Sequence, residues 1–169
     1  SGALLQLVPQ PAWDDLDYLV IDMPPGTGDI QLTLAQKVPV VGSVIVTTPQ
    51  DLALLDAKKG VEMFRKVHIP VLGVVENMAV HICSNCGHAE HLFGEGGGEK
   101  LAAQYGVELL ASLPLSMAIR MQADDGKPTT VADPESQIAM IYQELARKVG
   151  ARIAQAGKPS MPSIEISDD

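Results

Sequence analysis

The sequence contains no apolar run long enough to cross a bilayer and no basic cluster, its twelve lysines and arginines being scattered along 169 residues of formal net charge -9. The first absence argues against a membrane-spanning helix and the second against general binding to nucleic-acid phosphates. No signal peptide is visible. The expectation is therefore a cytoplasmic protein with neither membrane nor nucleic acid as partner. Cysteine is scarce as well. The only two, in Cys83-Ser-Asn-Cys86, read in a chain without secretory features as a metal or redox pair rather than a disulfide framework. Also missing between Ser1 and Asp169 is any phosphate-cradling segment of the form G-x-x-x-x-G-K-S/T; the glycine cluster Gly94-Glu-Gly-Gly-Gly98 is followed by Glu99-Lys100 instead.

What is present begins with 46% hydrophobic residues, enough for one globular domain with a sizeable core. Short β-branched runs at Tyr18–Ile21, Ser43–Thr47, Val71–Val75 and Glu108–Leu113 alternate with helix-length connections. Continuous apolar strands so separated predict an α/β fold: a mostly parallel sheet covered by helices on both faces, three layers in all. One helix is expected after a Thr48 cap with Pro49 at its first position, ending near Lys66. A second should start near Gly98 and stop at Gly106, and a third follow Leu115 and stop at Gly126. A fourth should be capped by Asp133, open at Pro134 and carry Ile138, Ile141, Tyr142, Leu145 and Val149 on one face. Residues 1–155 then form the domain, and 156–169 read as a mobile tail.

The segment richest in chemistry is Asp22-Met-Pro-Pro-Gly-Thr-Gly-Asp29, directly after the first apolar run. A strand ending in a carboxylate and opening into a glycine-rich turn suits a hydrated Mg²⁺ beside a phosphate. This is the Walker-B half of a nucleotide site. A plain Pro-Gly turn is the simpler alternative. The cysteine pair admits several readings. Covalent haem needs a histidine where Gly87 stands, and a thioredoxin-type pair would sit at a helix start rather than in a loop containing His and Gly. A zinc knuckle is the rival, with His88 and His91 close by, although they follow too tightly for the usual finger spacing.

Taken in order, Asp22–Asp29, Thr47-Thr-Pro-Gln-Asp51, Gly73-Val-Val-Glu-Asn-Met78, Cys83–Cys86, Phe93-Gly-Glu-Gly-Gly-Gly98 and Gly126-Lys-Pro128 resemble the Mrp/ApbC family of ATP-binding iron–sulfur cluster carriers, MinD/ParA-like P-loop NTPases. The resemblance runs from about Ala3 to Gln155. It departs at the start, where the family's P-loop has no counterpart, so the chain resembles the C-terminal part of such an ATPase domain and is expected to be inactive alone.

The resemblance implies roles for particular residues. Asp22 would hold a water of the Mg²⁺ shell, and Gly26, Thr27 and Gly28 would form the switch loop at the γ-phosphate. Asn77 would bond the adenine edge, since an amide offers both donor and acceptor. The loop around Pro114 and Leu115 would pack on the adenine ring at the carboxyl ends of the strands. Cys83 and Cys86 from two chains of a homodimer would supply four thiolates to one bridging 4Fe–4S cluster, with zinc a possible substitute. Apoproteins would receive the cluster from the carrier, and cluster scaffold proteins would supply it. The alternatives are a ParA/MinD-like partitioning ATPase, which has no need of the cysteines, and a non-catalytic fragment with a structural zinc knuckle.

Overall fold

The computed structural model describes residues 14–23, 28, 33, 38–83 and 85–156. Three strands, β1 (Ser43–Thr47), β2 (Val71–Glu76) and β5 (Leu109–Ser112), form a parallel sheet in the order β1-β2-β5, and β3 (His81–Ile82) pairs antiparallel with β4 (Ala89–Glu90). The helices are α1 (Asp51–Lys66), α2 (Gly97–Tyr105), α3 (Met117–Asp124), α4 (Thr129–Ala132) and α5 (Gln137–Ala156). None among the described residues is long and apolar enough to cross a membrane.

Strand periodicity explains the three layers. Along β2, Val74 and Val75 point to opposite faces and both are buried. Val74 joins Ile45 of β1 with Ala57 and Val61 of α1 and Leu101 and Ala102 of α2. Val75 joins Leu110 and Leu113, over which Ile141, Tyr142, Leu145 and Val149 of α5 close the other face. Of the apolar stripe read on the last helix, Ile141, Tyr142, Leu145 and Val149 therefore pack on the core, while Ile138 is not part of that cluster. A central strand buried on both sides has no polar face to present, which is why its sequence does not alternate.

Gly73 lets β2 and β5 approach. A Cβ there would lie 2.5 Å from Leu110 Cγ and 2.7 Å from the Glu108 carbonyl oxygen, the same oxygen that accepts from Val74 N–H at 2.9 Å. Gly73→Ala is expected to push the two strands apart and lower stability by about 1–3 kcal/mol, read as a lower urea midpoint.

Several boundaries differ from expectation. The run Tyr18–Ile21 is not a strand: it pairs with nothing among the described residues, and Val20 is 90% exposed. A strand exists only through ladder bonds to a neighbour, and none among the described residues engages this run. Among the described residues β1 likewise pairs only with β2. The cap position of α1 is Gln50, whose side chain accepts no helix N–H, while Thr48 Oγ1 donates to Gln50 Oε1 at 3.4 Å; Thr48 thus bonds the residue at the cap position rather than occupying it. At α5, Asp133 ends α4 rather than capping the long helix. Ser136 takes that role, its Oγ accepting from Ala139 N–H at 3.2 Å while donating to the Asp133 carbonyl at 2.7 Å. Ala156 is still helical, and the expected tail beyond it lies outside the described residues.

A cluster of charges fastens α5 to β5. Arg152 Nη2 donates to Glu108 Oε2 at 2.6 Å, and Lys148 Nζ lies 3.4 Å from Glu108 Oε1 while donating to the Leu110 carbonyl at 3.1 Å. The hydrogen bond from Arg152 is the main reason the Glu108 carboxyl titrates below its ordinary 4.5, aided by Lys148 and opposed by burial. A depressed carboxyl stabilises the fold above its unfolded pKa, and that contribution is lost as pH falls through the lowered value. Wild type is thus expected to exceed Glu108→Gln in thermal stability near neutrality, the gap closing below the ordinary 4.5. Because the pair is partly exposed, the gap should not exceed about 1 kcal/mol.

Candidate functional site

The carboxyl ends of the parallel strands form one edge, with Thr47, Glu76 and Ser112 in register across β1, β2 and β5. The chain leaves β2 at Asn77, whose N–H donates to the Thr47 carbonyl at 2.7 Å and whose side-chain Oδ1 accepts from Met78 N–H at 3.0 Å. Met78 takes φ 57°, a left-handed turn for which the adjacent Asn side chain supplies the bond. The loop after β5 is laced to the loop after β2. Ala79 N–H donates to Leu113 O at 2.9 Å and Leu115 N–H to Val80 O at 2.8 Å, while His81 Nδ1 faces Leu115 O at 3.3 Å. The segments carrying Asn77 and Pro114 are thus held side by side at the strand ends, where open parallel sheets bind ligands. Asp22 is exposed and outside the sheet, Gly28 is exposed, and Gly26 and Thr27 lie outside the described residues.

Beyond Val80 the chain runs out as the β3–β4 hairpin, with the two cysteines in its turn. Cys83 N–H donates to His88 O at 2.9 Å and Gly87 N–H to Cys83 O at 2.8 Å. Gly87 at φ 72° permits the reversal. The Cys83 thiol is drawn below its ordinary 9.0, first by the backbone N–H of Cys86, then by that of Asn85 and by the Cys86 side chain, against the opposing effects of burial and Glu90. Amide dipoles aimed at one sulfur favour thiolate, which is the form that binds metal. Both sulfurs are free; Cys83 is half-buried and Cys86 exposed. Exposed Ile82 and Leu92 flank them.

Among the described residues no three His, Cys, Asp or Glu side chains stand together as a metal set. His91 is engaged elsewhere: its Nδ1–H donates to the Ala79 carbonyl at 2.8 Å, and its Nε2 lies 3.8 Å from Glu95 Oε1. Among the described residues one chain thus brings two cysteine sulfurs together without a third or fourth such side chain beside them. Sequence reasoning missed Glu76, buried at the end of β2 with its Oε2 accepting from Gly98 N–H. An acidic residue closing an otherwise apolar strand was the available signal.

A family model described as ParA: NUBPL iron-transfer P-loop NTPase matches residues 1–150. The iron-sulfur cluster carrier protein of Pseudomonas fragi is 88% identical over 146 residues, 86% of this chain and 51% of that protein. Its Escherichia coli K12 counterpart is 59% identical over 158 residues, 94% of this chain and 43% of that protein. The chain thus spans about half the length of the curated relatives it matches. Among solved structures, a nucleotide-binding protein from Archaeoglobus fulgidus in complex with ADP superposes with a TM-score of 0.69 at 40% identity, over 80% of this chain and 54% of that one. A parallel sheet covered on both faces, a family match over nearly the whole chain and relatives this similar lead to one assignment: the chain belongs to the NUBPL iron-transfer P-loop NTPase family.

Proposed function

We propose that the chain is part of an ATP-dependent carrier that takes up a 4Fe–4S cluster from scaffold proteins and delivers it to iron–sulfur apoproteins in the cytoplasm. The observation that carries this reading is the Cys83–Cys86 turn, in which backbone N–H groups polarise a half-buried thiol at the tip of an exposed hairpin. Thiolates are the ligands of iron–sulfur clusters, and four are needed. Two chains related by a two-fold axis supply them, so the cluster is held between subunits of a homodimer. A cluster held at the surface is released readily, which suits cargo. N–H donors to Cys83 also lower the electron density on that sulfur and weaken its grip on iron.

Nucleotide is assigned to the strand ends. Asn77 would read the adenine edge, Pro114 would pack on the ring, and Asp22 would hold a water of the Mg²⁺ shell beside the Gly26-Thr27-Gly28 turn. Asp22 is exposed, and a γ-phosphate with its Mg²⁺ would draw its carboxylate into the metal's water shell. Differential binding of ATP and ADP at this site is the means by which nucleotide state would change dimer geometry and hence cluster grip.

The test is anaerobic reconstitution with ferrous iron and sulfide. A brown species with about two irons per chain, sizing as a dimer, is expected. Stoichiometric zinc that iron does not displace, in a monomer, would instead identify a structural knuckle. DNA-stimulated or lipid-stimulated ATP turnover without cluster uptake would identify a partitioning ATPase.

A further inference from the structure

The cysteine hairpin is an excursion with two feet, and both rest on the same strand end. It leaves at Asn77, directly after Glu76, and returns through Phe93 into the glycine-rich start of α2. Glu76 is only 5% exposed, and no basic side chain among the described residues pairs with its carboxylate. It accepts from the backbone N–H of Gly98, in the first turn of α2. A buried carboxylate on a helix N-terminal N–H is a charge-assisted bond in a low-dielectric setting, supported by the helix dipole. The approach is built for it: a Cβ on Gly98 would lie 2.8 Å from Glu76 Cβ and 3.0 Å from its Oε2. Beside it, a Cβ on Gly97 would meet Pro49 Cα and O at 3.0 Å and Leu54 Cδ1 at 2.8 Å. The first turn of α2 is thereby wedged between the end of β2 and the start of α1. His91, on the returning limb, is tied to Ala79, on the leaving limb.

We propose that Glu76 is a positioning residue of the cysteine site: its carboxylate pins the return foot of the hairpin, at Gly98, to the strand end that carries Asn77. One residue then anchors the cluster hairpin by its side chain and the proposed adenine reader by its backbone. Displacement of Asn77 or of the β2 terminus is felt at α2 and so at the limb leading back to Cys86. The pinning itself stands on geometry; its consequence for cluster grip rests on the carrier reading above.

Hydrogen exchange on the metal-free protein tests the pin without any cluster. In Glu76→Ala, amides of the hairpin (81–90) and of the first turn of α2 are expected to exchange about tenfold faster, while those of β1, β2 and β5 keep their protection. Glu76→Gln retains an acceptor oxygen but no charge and should lie between. After reconstitution with iron and sulfide, the rate of cluster loss to a ferrous chelator should rise in the same order. Unchanged hairpin exchange in Glu76→Ala overturns the proposal, as does equal acceleration in the core strands, which would mean general loosening. Should Glu76→Ala fail to fold, Gly98→Ala addresses the bond from the other side by crowding the carboxylate, and normal hairpin protection in that variant overturns the proposal. Failure of the wild-type protein to take up a cluster would instead count against the carrier reading and leave the exchange result to judge Glu76.

Discussion

Serine at Cys83 or Cys86 is expected to abolish nearly all cluster binding and the dimerisation that depends on it. Each substitution appears in both chains, so a symmetric site loses two of its four thiolates at once. A serine hydroxyl is a harder and far less acidic ligand than a thiol and holds iron in such clusters poorly. The fold should survive, because the cysteines lie in a hairpin turn outside both core clusters. Circular dichroism and thermal midpoint should therefore match wild type while iron content falls toward zero. Sizing chromatography before and after reconstitution separates the models. A wild-type protein that takes up its metal and stays monomeric defeats the bridging arrangement, whichever metal it is. Cys83, its thiol lowered by amide donors, is expected to be alkylated by iodoacetamide with a pH midpoint below its ordinary 9.0.

The second large effect concerns ATP. Phosphoryl transfer depends chiefly on positioned positive groups around the β- and γ-phosphates, and in P-loop enzymes the backbone cradle and its lysine supply them. The 169 residues contain no G-x-x-x-x-G-K-S/T segment, so this chain by itself is expected to show no measurable hydrolysis and only weak nucleotide binding through Asn77 and Asp22. A longer chain that adds a P-loop should turn over ATP, and Asp22→Asn in it should lower turnover by about 100-fold or more, because a neutral amide no longer holds the Mg²⁺ water shell. Equal hydrolysis with and without the P-loop would mean that the site is elsewhere.

Much of this protein was legible from residue order alone. Unbroken runs such as Val71–Val75 can be buried on both sides only between helix layers, so fold class followed from hydrophobic pattern. The Ile141, Tyr142, Leu145 and Val149 stripe pointed to the core for the same reason. Spacing also singled out Cys83 and Cys86, because two soft ligands three residues apart share one turn in almost any backbone. Where several local solutions were nearly equal, the sequence did not discriminate. Asp133 and Ser136 are each able to cap a helix start, and which one does, like the start of α1 at Gln50 rather than Thr48, depends on where the packed helix begins. Tyr18–Ile21 has strand composition, but a strand is a relation between two segments, and only tertiary structure decides whether a partner engages it. Glu76 belongs to the same class. Its charge was visible, but the Gly98 N–H that donates to its carboxylate lies 22 residues away, brought there by the return of the hairpin into α2.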